Sequence, residues 1–328
     1  MGAGGGGAGH EPGGTKPFEG TTRMRQNVEF AGSGGTVLRG WLYLPPGVSH
    51  APGVVMAHGF SAVKEMALDR YAEVFCRAGL AVLVYDHRNL GSSDGEPRQE
   101  INPWAQARDY RYAIRWLCDR PEVDAERIAI WGSSYSGGEV LVVGACDERA
   151  KVVVANVPFA GYAGIDYSDS EAHCKAICDE LRDESGAGLA DRQEVSLGPL
   201  PVVRLAGDAP DAPAVLDQTE SHEWFGEQAS STPSWINSIT LENGMETEPR
   251  WDPGACVAHL GPKPLLLVVA TQDRLAATDV SVAAYERAGE PKKLVMIEGH
   301  HFAPYEGEGF EQSSRAAEQF LLEHLTGR

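Results

Sequence analysis

The sequence predicts an α/β fold, a mainly parallel sheet with helices on both faces, interrupted by an inserted, mostly helical cap. Three observations predict it. Apolar runs that read as buried strands alternate with helical stretches over much of the chain. The run Ile128 to Trp131 leads straight into Gly132-Ser133-Ser134-Tyr135-Ser136-Gly137-Gly138, a serine among small residues where a strand passes into a helix. The rhythm then lapses between Pro158 and Pro262 and resumes afterwards. A chain of 328 residues suits one large core with an insertion better than two full domains.

The elements follow in order. Arg25 to Phe30 and Thr36 to Leu44 alternate like half-buried strands, with Gly32 to Gly35 as their turn. Gly53 to Ala57 is a buried strand ending at His58-Gly59, and Lys64 to Gly79 is helical, with Leu68, Tyr71, Phe75 and Ala78 on one face. Leu80 to Tyr85 is apolar throughout, as a strand covered on both faces must be. A loop from Asp86 to Glu96 precedes a helix over Pro103 to Cys118, where proline suits the first turn. Strand Arg127 to Trp131, helix Tyr135 to Cys146 and strand Lys151 to Val157 complete the first half. After the insertion come strand Pro264 to Ala270, helix Thr278 to Ala288, strand Lys293 to Ile297 and helix Phe310 to Leu325. The expected division is a disordered, glycine-rich tail over 1–22, a core of 23–158 and 263–328, and the cap over 159–262.

Composition narrows the function. Hydrophobic residues make up 42% and charged residues 23%, as in globular proteins. A formal net charge of −19 argues against nucleic acid, whose phosphates need clustered cations, and against an anionic membrane surface. No apolar run reaches the roughly 20 residues that span a bilayer. Six cysteines without a compact framework or an export signal are expected as free thiols in a reducing cytoplasm. His173, Cys174 and Cys178 are too few ligands to imply a metal, and neither a cofactor nor a phosphate-binding glycine loop is indicated.

The serine carries the chemistry. A hydroxyl nucleophile must stand clear of a sharp strand-to-helix turn, which tolerates only small neighbours two positions away. Gly132 meets that need, whereas Ser136 departs from the usual G-x-S-x-G. Taken alone, the stretch can also be read as an ordinary connection with a capping serine. What singles out Ser134 is the chain order behind it, since a serine needs a base, and the base an orienting acid, at later strand ends. Asp273 follows one strand, and His300 and His301 follow the next. Asp279 opens a helix, where a carboxylate has an ordinary electrostatic task, so Asp273 is preferred. Donors for a developing oxyanion are expected from the N–H of Tyr135 and, after the Gly53 to Ala57 strand, that of Phe60. His58 is expected to pack the loop. Trp224, Phe225 and Trp235 are candidates to line a substrate pocket or to form the cap's own core.

With these residues on the page, the chain from about Arg25 to Leu325 resembles the α/β-hydrolase superfamily. It is most similar to hydrolases related to dienelactone hydrolases, cocaine-esterase-like enzymes and polyketide thiohydrolases or transferases. The segments that carry the resemblance are His58-Gly59-Phe60-Ser61 with Lys64-Glu65, Tyr85 to Arg88 with Gly91 to Gly95, Trp131 to Gly138, and Gly299 to Phe302 before Pro304-Tyr305. The resemblance implies an α/β-hydrolase fold and a base on the histidine before phenylalanine, His301. It also implies that the loop from Asp86 to Gly95 holds the site together without reacting. Ser134 stands where dienelactone hydrolases carry cysteine, and Phe60 lacks the hydroxyl that cocaine-esterase-like enzymes place in the oxyanion hole. The expected function is a serine hydrolase of carboxylic esters or thioesters. The alternatives are acyl transfer to an alcohol or amine, a peptidase, and a non-catalytic ligand binder. The expected partner is a small-molecule ester or thioester, with a homodimer left open.

Overall fold

The computed structural model describes residue 1 and residues 25–191, 195–242 and 247–327. The expected disordered tail over 1–22 lies, Met1 apart, outside the described residues. Strands β1 (Arg25–Ala31), β2 (Val37–Tyr43), β3 (Ala51–Ala57), β4 (Ala81–Tyr85), β6 (Val123–Ser133), β7 (Ala150–Asn156), β10 (Leu265–Ala270) and β11 (Lys292–Ile297) form one eight-stranded sheet. Their order is β1-β2-β4-β3-β6-β7-β10-β11. Strand β2 runs antiparallel to β1 and β4, and the remaining pairs are parallel.

Side chains of the central strands alternate between two cores, as the pleat requires. Val55 and Ala57 of β3 join a core under helices α2 (Pro103–Cys118) and α3 (Tyr135–Cys146), whereas Val54 and Met56 join one under α1 (Leu68–Arg77) and α8 (Gly307–Thr326). Both faces are therefore covered, which is why these strands read as continuous apolar runs. Helix α2 starts where expected because Pro103 occupies its first turn and the Asn102 side chain accepts the Ala105 N–H at 3.0 Å. Helix α1 starts later than its periodicity suggests. The Lys64 N–H is bound by the Asp86 carboxylate at 2.8 Å, which holds the preceding segment in turns.

The strand order positions the site. From β3 the chain steps to β4 on one side, and β6 adds on β3's other side. The segments leaving β3 and β6 therefore go to opposite faces of the sheet and open a crevice at the carboxyl ends of two adjacent strands. Tyr110, fully buried on α2, ties these strands together, its hydroxyl lying 2.7 Å from the Val55 carbonyl and 2.9 Å from that of Trp131.

The insertion, expected to be mostly helical, also carries strands. It contains α4 (Glu171–Arg182) and α5 (Thr219–Ser231), but β8 (Val195–Leu200) and β9 (Ile239–Glu242) also build a second sheet with β5 (Glu100–Ile101) in the order β5-β9-β8. Because β5 precedes α2, this small sheet stitches the insertion to the core. Helix α4 packs into the core beneath α2 and α3, while Trp224, Phe225 and Trp235 pack into the core on the other face. The short α6 (Pro253–Cys256) leads back to β10, and α7 (Thr278–Arg287) follows it.

The cysteine expectation also needs correction. Cys146, at the end of α3, and Cys178, on α4, form a disulfide, with Cα atoms 5.0 Å apart. A separation of 32 residues gives no sequence signal, and only the packing of α4 on α3 brings the two within reach. Cys76, Cys118, Cys174 and Cys256 are free. Among the described residues no helix is long and apolar enough to cross a membrane.

Tyr110→Phe should cost about 1 kcal/mol, because it removes the one proton shared by the Val55 and Trp131 carbonyls while keeping the ring. Urea denaturation should show a lower midpoint at an unchanged m-value.

Candidate active site

Ser134 sits between β6 and α3 with φ 56° and ψ −112°, a conformation that costs a non-glycine residue of order 1–3 kcal/mol. Neighbouring backbone holds it there. The Ser134 N–H donates to the Asn156 carbonyl at 2.8 Å, and its carbonyl accepts the Phe159 N–H at 2.9 Å and the Gly138 N–H at 3.1 Å. Two residues earlier only glycine fits, since a Cβ on Gly132 would lie 1.9 Å from the Ser136 carbonyl oxygen.

The acid and histidine meet this serine from two further strand ends. His301 Nε2 lies 2.9 Å from Ser134 Oγ, and its Nδ1 lies 2.7 Å from Asp273 Oδ2. The other oxygen, Asp273 Oδ1, accepts the N–H groups of Leu275 at 2.9 Å and Ala276 at 2.8 Å. The carboxylate is thus aimed by its own loop, and the Nδ1–H tautomer of His301 is the one that can donate to it. Asp279 lies in the first turn of α7. His300 turns the other way, its Nδ1 accepting the Phe302 N–H at 3.2 Å.

A buried polar chain supports the histidine loop from below. Ser133 Oγ hydrogen-bonds Tyr305 Oη and lies 3.3 Å from Asn156 Nδ2. Asn156 Oδ1 accepts from Ser313 at 2.9 Å, and Ser313 Oγ lies 2.7 Å from Tyr71 Oη, which donates to the Pro304 carbonyl at 2.6 Å. The residue before Ser134 is thereby tied to the loop after His301.

The loop after β3 reaches the serine from the other side. A Cβ on Gly59 would lie 3.1 Å from Ser134 Cβ, so this backbone passes directly over it. The His58 ring bonds the Gly59 carbonyl through Nδ1 at 2.9 Å and accepts the His87 N–H on Nε2 at 3.2 Å. In a trans peptide C=O and N–H oppose each other, so this clamp turns the Phe60 N–H away from the ring. The N–H of Tyr135 is in the first turn of α3, where helices leave donors unpaired. The Tyr135 hydroxyl is held far above its usual range by burial and by the Glu139 carboxylate, and it donates to Gln106 Oε1 at 2.6 Å. Further back, burial would push the Asp86 carboxyl up, but the Lys64 ammonium 2.7 Å away outweighs it and holds Asp86 below the usual carboxylate range. Asp86 also accepts the Ser92 N–H at 2.9 Å, so the loop from Asp86 anchors the end of the segment that begins at His58.

Above the serine lies a cavity of about 190 Å³ lined by apolar and aromatic residues, among them Met66, Phe159, Trp224, Phe225, Trp251 and Phe302. Of the three tryptophan and phenylalanine candidates, Trp224 and Phe225 line it. Trp235 does not, because it stacks behind Phe225 at 5.3 Å and donates its indole N–H to the Ser61 carbonyl at 3.0 Å. Trp224 stacks on Phe302 at 4.9 Å and so joins the insertion to the histidine loop. Phe159 and Trp251 were missed from sequence because they fall where the strand–helix rhythm lapses, and Met66 because it sits in a stretch read as helix that the structure holds in turns before α1.

A family profile for the X-Pro dipeptidyl-peptidases (S15 family) matches residues 34–303. A thiohydrolase of Aspergillus aculeatus is 30% identical, the match covering 92% of this chain and 94% of that one. A polyketide transferase of Aspergillus fumigatus is 29% identical over 92% of this chain and 99% of its own. Among solved structures, the α/β hydrolase GrgF of Penicillium sp. sh18 superimposes with a TM-score of 0.71 at 26% identity, covering 92% of this chain and 99% of that one.

Burial holds the His58 imidazole down at about 3, against a usual value of 6.5. The unfolded chain therefore binds more protons between these values, and the stability contributed by His58 falls as pH drops through that window. The unfolding free energy from urea titrations should decline from about pH 6.5 downward, by at most about 1.4 kcal/mol per pH unit for this group. In His58→Asn the slope of that decline should be shallower.

Proposed function

The chain belongs to the X-Pro dipeptidyl-peptidase (S15) family, which is of α/β-hydrolase type, and we propose that it cleaves an ester or thioester of an apolar acyl group through Ser134. The observation that carries this reading is the hydrogen-bonded line Ser134–His301–Asp273 beneath an apolar cavity. His301 takes the Ser134 proton as Oγ attacks the carbonyl carbon, and Asp273 keeps the ring oriented and stabilises the imidazolium that forms. The negative charge that develops on the carbonyl oxygen is met by the N–H groups of Phe60 and Tyr135. His301 then returns the proton to the leaving alcohol or thiol, and water, deprotonated by the same base, releases the acid.

The cavity supports a neutral, apolar acyl group. Apart from His301, none of the lining residues among those described carries an ionisable group other than tyrosine, and Trp224 and Phe225 offer ring faces to a chain. An X-Pro peptide would bring a terminal ammonium, and a buried cation needs a paired carboxylate. Among the described residues no Asp or Glu lines the cavity, so the peptidase reading is the weaker one. Acyl transfer to an alcohol or amine uses the same groups and is the second reading, favoured by the relative named a polyketide transferase.

A fluorophosphonate probe should label Ser134 in the wild type and leave Ser134→Ala unlabelled. Turnover of p-nitrophenyl esters and acyl thioesters should fall at least about a thousandfold in the variant. Rates should rise with acyl length and exceed those for an X-Pro anilide. Equal labelling and turnover in the two proteins would remove Ser134 from the mechanism. Product partition between water and an added alcohol or amine separates hydrolysis from transfer.

A further inference from the structure

Ser136 replaces the glycine usual two residues after an elbow serine, and its hydroxyl is fully buried among polar groups. Oγ lies 2.5 Å from the His58 carbonyl oxygen, 2.6 Å from Glu139 Oε2 and 2.8 Å from His87 Nε2. His87 Nε2 is also 3.2 Å from Glu139 Oε2. Neither His87 nor Glu139 touches the Ser134–His301–Asp273 line, and both are buried beneath it.

Counting protons orders this cluster. The His58 carbonyl can only accept, so the Ser136 hydroxyl is its donor, shared with the Glu139 carboxyl. His87 Nε2 lies within reach of both Ser136 Oγ and Glu139 Oε2, and its Nε2–H tautomer is the one that donates to them. His87 also supplies its backbone N–H to the His58 ring. The His58 residue is thus held at its carbonyl by Ser136, at Nε2 by the His87 backbone, and through Nδ1 it holds the next peptide, which carries the Phe60 N–H.

From this geometry we infer that Ser136 is a positioning residue for the oxyanion donor of Phe60. Its hydroxyl, itself held by His87 and Glu139, couples the first turn of α3 to the loop that follows β3. The two N–H groups assigned to the oxyanion then sit on elements locked to each other by one side-chain bond. Glycine at this position satisfies the steric need of the elbow equally well but leaves the His58 carbonyl without this donor. Gly59 follows immediately and has no Cβ to restrict its torsions, so with the His58 carbonyl freed the Gly59–Phe60 peptide is held only at the Gly59 carbonyl, by the His58 ring at 2.9 Å and the Ala62 N–H at 3.2 Å, and its direction is less closely fixed. The inference rests on the proposed Ser134 chemistry. If the wild type shows no turnover dependent on Ser134, that reading fails before Ser136 is tested.

The test compares wild type with Ser136→Ala, Ser136→Gly and Ser136→Cys on the p-nitrophenyl ester turned over best. A trifluoromethyl ketone carrying the same acyl chain is the second readout, since its adduct with Ser134 places an oxyanion where the reaction does. Ser136→Ala and Ser136→Gly should lower kcat about 10- to 100-fold with KM within about twofold, less than the loss of an oxyanion donor itself. Affinity for the ketone should fall by the same factor as kcat. Ser136→Cys, whose thiol donates weakly, should fall between wild type and alanine. Unchanged kcat in Ser136→Ala, a loss carried by KM, or a drop in kcat with undiminished ketone affinity would each overturn the inference. Should the alanine and glycine variants fail to fold, the cysteine variant decides on the same two readouts.

Discussion

The strained turn at Ser134 is the constraint around which the molecule is arranged. A residue held at φ 56° and ψ −112° relaxes unless its surroundings fix it. Here the carbonyl of β7 takes its N–H, the N–H groups of Phe159 and Gly138 take its carbonyl, and Gly132 leaves room for the first turn of α3. The turn in return holds Oγ clear of the helix backbone and within 2.9 Å of His301. Only the Gly138 N–H is local, belonging to the first turn of α3; the contacts from Asn156 and Phe159 come from another strand and the loop after it, so the nucleophile's geometry is a property of the assembled sheet.

Two buried polar chains extend this arrangement in opposite directions. One runs from Ser133 through Asn156, Ser313 and Tyr71 to the loop carrying His301. The other runs from Ser136 to His58, His87 and Glu139 beneath the loop carrying Phe60. Buried hydrogen-bonded networks cost desolvation but fix directions that apolar packing leaves free. The cavity above is built on the opposite principle, with ring faces and aliphatic groups that exclude charge. Electrostatic stabilisation is strongest where water is kept away, so the apolar roof and the polar foundation serve the same transition state. The acidic surplus of the chain, −19 overall, is absent from the lining among the described residues.

Much of this was legible in the sequence because it follows from periodicity and order. Continuous apolar runs bounded by turn residues read as strands covered on both faces, and a serine among small residues after such a run is where a nucleophile's turn can form. The serine, acid and histidine order selected Ser134 and Asp273. The choice of His301 over His300 came from resemblance, since adjacent loop residues have no periodicity to separate them. The structure brings Ser134, Asp273 and His301 within hydrogen-bond distance.

By itself, then, the sequence determined the alternation of strands and helices, the place of the elbow and the set of groups at three strand ends, because each is written in local composition and spacing. The tertiary structure alone decided the rest. It put Trp235 behind Phe225, added a three-stranded sheet to the insertion, paired Cys146 with Cys178 and turned the Ser136 hydroxyl onto the His58 carbonyl. Each of these depends on which distant segment arrives at a side chain. For the disulfide that segment is 32 residues away and for Ser136 and His58 it is 78, brought close by strand order and helix packing beyond the reach of a periodic pattern.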